Sequence, residues 1–329
     1  MSSIPQLINY LCITMDVKDC RIVFLGTPDF AVTVLEKLVN EGCQVVGVVT
    51  APDKPAGRGM QLSQSAVKKF AIEKGLNVLQ PLKLKDPTFI EELKALKADV
   101  QVVVAFRMLP ELVWNMPPMG TINLHGSLLP KYRGAAPINW AIINGEKETG
   151  VTTFKLKHEI DTGDVLMQEI IPISETMTAG ELHDTMKEIG ANLIYQTLDH
   201  YCSNTLISKP QEHLIQNALD EIPSAPKLHT ETSRIDWNMP AKKIYDLIRG
   251  LSPYPAAFTQ LDGKLLKIYR ASYTIDNTVL TAGEYNTDGK SFLQFAAADG
   301  WVSIVELQLE GKKKMEVGAF LRGHRIHQL

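Results

Sequence analysis

The chain has 329 residues, of which 45% are hydrophobic and 22% charged, and its formal net charge is −3. This composition is ordinary for a globular protein, and the length suggests about two domains. The four cysteines lie far apart without zinc-site spacing, and no apolar run approaches the roughly 20 residues of a membrane span. We therefore expect a cytoplasmic protein with reduced cysteines, no membrane segment and no metal.

The first 200 residues alternate short apolar strands with helices. We predict strands at 21–25, 44–50, 78–79 and 99–105, and helices at 31–39, 66–74, 89–96, 138–144 and 180–203. Such alternation predicts an α/β fold with a doubly wound parallel sheet, whose active site lies beyond the carboxyl ends of the strands. Residues 151–157 and 165–171 alternate in polarity and suggest an antiparallel pair.

A change in composition separates a second region. Residues 204–226 contain three prolines and read as a linker. A helix at 241–250 and short strands at 256–261, 264–272, 279–285, 291–296 and 301–307 then suggest a small β-barrel. We expect an N-terminal extension at 1–19, a first domain at 20–203, the linker at 204–226 and a C-terminal domain at 227–329.

The turn after the first strand, Gly26-Thr-Pro-Asp-Phe30, lies where a dinucleotide-binding fold has GxGxxG. Pro28 and Ala31 replace the second and third glycines, so the backbone could not approach a pyrophosphate closely. NAD and FAD are therefore disfavoured. The plain alternative is a structural turn in which Thr27 caps the following helix.

The segment Asn123–Pro137 carries the strongest chemical signal. Asn123 and His125 are two residues apart at the end of a predicted strand, so both side chains point to one face. An amide beside an imidazole can bind a carbonyl oxygen and move a proton, as acyl chemistry requires. Asp161, in Asp161-Thr-Gly-Asp164, could orient the imidazole. An Asx-turn residue and a structural histidine are the plain alternatives.

Cationic residues suggest a second kind of contact. Residues 227–329 have a net charge of +3 against −6 for the rest, and small barrels with a basic face commonly bind oligonucleotides. The candidates are Lys54 and Arg58 in the Lys54–Met60 loop and Lys242, Lys243 and Lys264 in the C-terminal region. Solvated surface charges are the alternative. Trp237, Tyr254 and Trp301 could stack on bases, although core packing is the commoner role.

The motifs together resemble those of the methionyl-tRNA formyltransferase family from about Arg21 to the last ten residues. They are Gly26-Thr-Pro-Asp-Phe30, Pro52-Asp-Lys-Pro-Ala-Gly-Arg-Gly59, Asn123–Pro137, Glu148-Thr-Gly-Val-Thr152, Asp161-Thr-Gly-Asp164 and Arg234-Ile-Asp-Trp237. The resemblance implies a Rossmann-like formyltransferase domain with an OB-fold-like C-terminal domain. It also implies formyl transfer from 10-formyltetrahydrofolate to the α-amino group of methionyl initiator tRNA by a monomer.

The resemblance also implies roles for individual residues. Asn123, His125 and Asp161 would be catalytic. The folate would contact Ser127, Leu128, Leu129 and Pro130, together with Phe106 and Met108 in a loop lining the pterin pocket. Many members have Tyr-Gly where this chain has Phe106-Arg107. The loop around Arg58 would enter the acceptor stem of the tRNA.

Four other interpretations share parts of this pattern. A formyltransferase acting on an amino-sugar nucleotide has a similar second domain but lacks the Lys54–Met60 pattern, whereas one acting on glycinamide ribonucleotide usually stops after one domain. A 10-formyltetrahydrofolate hydrolase would use the same Asn-His-Asp set and release formate. A non-catalytic tRNA-binding protein would have no need of that set.

Overall fold

The computed structural model describes residues 15–56, 61–215, 221–276 and 280–324. The strands before the linker are β1 (Arg21–Gly26), β2 (Gln44–Val49), β3 (Lys54–Ala56), β4 (Gln61–Ser63), β5 (Val78–Leu79), β6 (Val100–Val104), β7 (Thr121–His125), β8 (Arg133–Gly134), β9 (Glu148–Lys155) and β10 (Val165–Pro172). The helices are α1 (Asp29–Asn40), α2 (Ala66–Glu73), α3 (Pro87–Ala95), α4 (Glu111–Trp114), α5 (Pro137–Ile143) and α6 (Ala179–Cys202).

Seven strands form the main sheet in the order β10-β9-β7-β6-β1-β2-β5. The neighbouring strands β7, β6, β1, β2 and β5 are parallel to one another, whereas β9 is antiparallel to both β7 and β10. Apolar cores cover both faces, one against α1 and α6 and the other against α3 and α4. The predicted doubly wound sheet and its antiparallel pair are confirmed.

The turn between β1 and α1 differs from the prediction in one detail. Pro28, in an extended conformation, occupies the N-cap position that we assigned to Thr27, and no side chain caps the helix. Gly26 is required for packing, because a Cβ there would lie 2.7 Å from the Ala31 Cβ. This glycine therefore lets α1 approach the sheet closely.

The linker and the C-terminal region contain a 3-10 turn (Gln211–Leu214), three helices and seven strands among the described residues. The helices are α7 (Thr230–Ser233), α8 (Ala241–Gly250) and α9 (Val317–Gly323), and the strands are β11 (Ser224–Ala225), β12 (Ala257–Leu261), β13 (Lys264–Ile275), β14 (Tyr285–Thr287), β15 (Leu293–Ala297), β16 (Gly300–Leu309) and β17 (Met315–Glu316). In the described chain, no helix has the length and apolar character needed to cross a bilayer.

Strands β12-β13-β16-β15-β14 form a curled antiparallel sheet, with β17 paired to β16, and α8 packs on its core. This confirms the predicted small C-terminal β-domain, whose sheet is curled and antiparallel. The strand predicted at 279–285 is wrong in its bounds: residues 280–284 form a turn with Gly283 at φ +92°, and β14 starts at Tyr285. The glycine conformation ends any extended segment there.

The two regions meet where α8 packs on α5. The Asn139 amide donates to the Gly250 carbonyl at 2.8 Å, and the Tyr245 hydroxyl donates to the Glu175 carbonyl at 2.9 Å. Arg270 pairs with Glu181 at 2.6 Å. These contacts place the C-terminal sheet beside the first turn of α6.

Candidate active site

Strand β7 holds Asn123 and His125 on the same face of the main sheet. In the register with β9, Asn123 lies opposite Phe154 and His125 lies opposite Thr152. Leu124 points to the other face, where it packs so closely on α6 that a Cβ at Gly190 would lie 2.7 Å from its methyl carbon. The apolar face of the strand is thus fixed in the core, which fixes the polar face in turn.

The His125 imidazole is 7% exposed, and its orientation is set by the backbone. Its Nε2 donates to the Tyr132 carbonyl at 2.8 Å, because that oxygen can only accept. The ring also packs edge-on against Phe154 at 6.4 Å between centroids. Nδ1 therefore is the nitrogen left to face the site.

Asp161 lies on the other side of Nδ1. Its Oδ2 is 3.9 Å from the His125 Nδ1, which is an ion-pair distance rather than a hydrogen bond. The same oxygen accepts the Gly134 N–H at 2.9 Å. Asp161 has a φ of +53°, a left-handed conformation that a non-glycine residue adopts at a cost. The site therefore holds its carboxylate in a defined place.

The Asn123 side chain is half-buried, and no described residue hydrogen-bonds its amide. Buried polar groups in folded proteins nearly always find a partner within the protein or in water. An amide with free donors on the same strand face as His125 is suited to bind a carbonyl oxygen of a ligand. Asn123 and His125 thus share one face of β7 and Asp161 lies next to His125, while their catalytic roles stay a prediction.

The segment from Ser127 to Pro130 is held mostly from within the protein. The Ser127 hydroxyl donates to the Lys131 carbonyl at 2.7 Å, and the Thr152 hydroxyl donates to the Ser127 carbonyl at 2.6 Å. Leu129 and Pro130 are buried, whereas Leu128 is half-buried. The buried side chains shape the segment, so a bound folate would meet mainly its backbone and Leu128.

Sequence reasoning missed two residues that hold this segment. The Thr152 hydroxyl accepts the Leu129 N–H at 3.1 Å, and the Gln168 amide donates to the Leu129 carbonyl at 2.9 Å. Thr152 closes the quoted Glu148–Thr152 motif, which was its only signal in the sequence. Gln168 gives no such signal, because it acts through a strand two positions away in the sheet.

The second predicted folate segment follows β6. Ala105 adopts φ +47°, Phe106 is half-buried against the core, and Met108 is 74% exposed. Arg107 donates to the carbonyls of Pro81 and Leu82, and burial lowers its pKa. This arginine anchors the loop, so its presence is compatible with a lining role for Phe106 and Met108.

The predicted Lys54–Met60 loop is in part a hairpin, because β3 and β4 pair antiparallel with Lys54 opposite Ser63. Lys54 is exposed, and Arg58 lies outside the described residues. Asp53 accepts hydrogen bonds from Gln80 and Lys68, which lower its pKa and anchor the base of the hairpin.

The basic candidates of the C-terminal region differ in their surroundings. Lys243 and Lys264 are exposed, whereas the Lys242 ammonium lies 2.5 Å from the buried Asp246 carboxylate. The structure therefore leaves Lys243 and Lys264 available to an anionic partner and gives Lys242 a role inside the fold.

The three candidate aromatic residues also differ in their exposure to solvent. Trp237 is buried and stacks on Phe295 at 4.6 Å between ring centroids, and Trp301 is half-buried within β16. Tyr254, by contrast, is 82% exposed. It lines a cavity of about 380 Å³ together with Ala135 and Ala136 of the segment that follows the site. Core packing therefore does not account for Tyr254.

No group of three or more potential metal-ligating side chains occurs within the described ranges. The site offers an amide, an imidazole and one carboxylate instead. Such a set suits proton transfer and oxyanion binding.

Family models match the two regions separately. The formyl transferase model matches residues 20–198, and the model of the formyl transferase C-terminal domain matches residues 227–325. The methionyl-tRNA formyltransferase of Bacteroides thetaiotaomicron is 51% identical over 317 residues, which cover 95% of this chain and 98% of the relative. The chain belongs to the methionyl-tRNA formyltransferase family. The sequence-based assignments of family and enzyme class are thereby confirmed.

Other relatives and solved structures agree on the fold. The methionyl-tRNA formyltransferase of Phocaeicola vulgatus is 54% identical over 94% of this chain and 98% of its own length. The N-formyltransferase of Helicobacter canadensis, solved with folinic acid and dTDP-3-aminofucose, has a TM-score of 0.63 at 21% identity, and the match covers 90% of this chain and 100% of that one. HypX of Aquifex aeolicus, solved with tetrahydrofolic acid, has a TM-score of 0.62 at 20% identity over 94% of this chain and 49% of its own.

Proposed function

We propose that this chain transfers the formyl group of 10-formyltetrahydrofolate to the α-amino group of methionyl initiator tRNA. The products are N-formylmethionyl-tRNA, which serves translation initiation, and tetrahydrofolate. One observation carries the proposal: the Asn123 amide, to which no described residue hydrogen-bonds, shares the face of β7 that carries His125. The full-length match to methionyl-tRNA formyltransferases selects the substrate pair.

The first step is attack of the free α-amine on the formyl carbon. A C–N bond forms, and the formyl oxygen becomes a tetrahedral oxyanion. The Asn123 amide and the protonated His125 Nδ1 donate hydrogen bonds to it, and Asp161 at 3.9 Å stabilises the imidazolium. Because Nε2 is committed to the Tyr132 carbonyl, the ring does not have to reorient during the reaction.

The second step moves one proton and breaks one bond. The amine that has attacked carries an extra proton, which Asp161 accepts directly or through a water. The intermediate then collapses, the bond between the formyl carbon and N10 breaks, and N10 receives that proton. One amine hydrogen is exchanged for one formyl group, so no redox partner is needed.

The substrates have separate contacts in this proposal. The folate lies against Ser127–Pro130 and against Phe106 and Met108, and the half-buried Leu128 gives it an apolar contact. We assign tRNA phosphates to Lys54, Arg58, Lys243 and Lys264, and we keep Lys242 as a secondary contact because Asp246 engages it.

Tyr254 extends the tRNA surface towards the catalytic segment. It is exposed beside a cavity that Lys227 and His229 also line. An aromatic ring next to a cation can stack on an unpaired base at the acceptor end. We also propose a monomer acting in the cytoplasm, because initiator tRNA is charged and used there.

The second candidate is formylation of an amino-sugar nucleotide. The structural likeness to sugar N-formyltransferases favours it, and the same three side chains would perform that reaction. At 18–21% identity this likeness shows a shared fold, whereas relatives that are about 50% identical along the whole chain are tRNA enzymes.

The two candidates are separated by one assay. The protein is mixed with 10-formyltetrahydrofolate and either methionyl initiator tRNA or a dTDP-amino sugar, and formylated product is measured. We expect formyl-methionine from the charged tRNA and at most a trace of sugar product. Sugar formylation alone, or release of formate without tRNA, would contradict the proposal.

A further inference from the structure

Gln211, which starts the 3-10 turn of the linker, has a fully buried side chain in which every hydrogen-bonding group is used. Its Oε1 accepts from Arg133 Nε at 3.0 Å and Nη2 at 2.6 Å. Its Nε2 donates to the carbonyls of Asp161 and Gly163, each at 2.8 Å. A side-chain amide has two donor hydrogens and two acceptor lone pairs, so no capacity remains.

These bonds hold the residue that carries the catalytic carboxylate. Asp161 is fixed at its backbone by Gln211 and at its carboxylate by the Gly134 N–H. Its left-handed conformation at φ +53° persists only where the surroundings over-determine it. Gln211 supplies one of those constraints.

The far end of the linker holds the histidine side of the site. β11 pairs in parallel with β8, and the Tyr132 N–H donates to the Pro223 carbonyl at 2.6 Å. Gly134 is required for this contact, since a Cβ there would lie 2.5 Å from the Ala225 carbonyl oxygen. Tyr132 in turn provides the carbonyl that orients His125.

We propose that Gln211 is a positioning residue that acts through Asp161, and that the linker is therefore part of the catalytic geometry. Gln211 binds the backbone of Asp161, and Pro223 binds Tyr132, which orients His125. These two linker residues therefore set the distance between His125 Nδ1 and Asp161 Oδ2. The inference rests on the catalytic roles proposed above. A misplacement of reacting groups by about 1 Å can cost roughly 100-fold in rate.

The test is a double-mutant cycle of Gln211→Met with Asp161→Asn in formylation of methionyl initiator tRNA. Gln211→Met should lower kcat roughly 10- to 100-fold and leave KM for both substrates within about twofold. In the Asp161→Asn background the same substitution should cost much less, because coupled residues are non-additive. His213→Ala, at an exposed position of the same turn, is the matched control and should behave as wild type.

A second readout needs no turnover. Hydrogen exchange of the Gly134 amide should accelerate in folded Gln211→Met, because the carboxylate that accepts this N–H loses its anchor. An unchanged kcat, an equal loss in both backgrounds, or unchanged Gly134 exchange would overturn the proposal. If the wild type itself failed to formylate the tRNA, the proposed function would fall, while the exchange result would still decide the role of Gln211.

Discussion

The end of strand β7 and the outer basic surface differ in how their side chains are held. His125 and Asp161 are almost buried, and each is fixed by a backbone hydrogen bond at 2.8–2.9 Å. Lys243, Lys264 and Tyr254 are exposed, and their side chains form no hydrogen bond or ion pair with the described residues. The first region is built for placing atoms in one geometry, and the second for weak contacts spread over a large partner.

This difference predicts how mutations act. A group in a preorganised site stabilises the transition state, so its loss lowers kcat. A surface cation contributes through a screened charge, so its loss changes tRNA affinity slightly and in a salt-dependent way. Mutations at the end of β7 should therefore change kcat, and mutations on the outer basic surface should change tRNA affinity.

The largest effect is expected for His125→Gln. Glutamine can still donate to the Tyr132 carbonyl but cannot carry the positive charge that stabilises the oxyanion. We expect kcat to fall by about 10²–10⁴, with KM for tRNA nearly unchanged. Steady-state kinetics on the folded variant measures this. Near-normal turnover would remove His125 from the mechanism.

Tyr254→Ala should affect binding instead. Stacking on a base contributes about 1–3 kcal/mol, so Kd for the tRNA should rise roughly 5- to 150-fold at unchanged single-turnover rate. Tyr254→Phe keeps the ring and serves as the control. If both variants bound tRNA like wild type, the acceptor end would not contact this ring.

Adjacent lysines on α8 give a smaller and sharper contrast. Lys243→Ala should reduce the slope of log Kd against log salt by about 1, as expected for one lost phosphate contact. Lys242→Ala should change that slope less and instead lower the free energy of unfolding by about 1 kcal/mol, because Asp246 loses one partner. Equal salt effects for the two lysines would contradict this separation.

The smallest effect concerns the ion pair between Glu181 of α6 and Arg270 of the C-terminal sheet. Burial opposes ionisation of Glu181, but hydrogen bonds from the Thr178 N–H and Arg270 outweigh it and hold its pKa below the usual range. The stabilisation is therefore present above the ordinary glutamate pKa of about 4.3 and is lost as pH falls through the lower folded value.

Urea unfolding of wild type and Glu181→Gln at several pH values tests this. The wild type should be slightly more stable at pH 7, and the difference should disappear in acid. The difference should be small, since Glu181 is 47% exposed. Glu188→Gln, at another exposed position of α6, is the control variant measured alongside.

The residues at the end of β7 could be predicted from the sequence, whereas the residues that support them could not. The spacing of Asn123 and His125 at the end of an apolar strand is a local pattern, so it could be read directly. The support from Gln211 depends on Asp161 and Arg133, which are 50 and 78 residues away. These hydrogen bonds form only when the linker folds back on the site, and a periodic pattern of neighbouring residues carries no information about such distant pairs.

The contacting residues of the outer basic surface could not be predicted for the same reason, since they too depend on tertiary packing. Lys242 and Lys243 are equivalent by composition, and only the packing of α8 places Asp246 beside one of them. Tyr254 and Trp237 were also equivalent candidates, yet one is exposed and the other lies in the core. The sequence identifies a basic domain but leaves its contacting residues to tertiary structure.

The most direct test of the account is Asn123→Ala under single-turnover conditions with methionyl initiator tRNA. Formyl transfer should slow by about 10²–10³, as for loss of an oxyanion donor, while Kd for the charged tRNA should change less than about twofold. Asn192→Ala, exposed on α6, should match the wild type. A folded Asn123→Ala protein that transfers formyl at the wild-type rate would contradict the account.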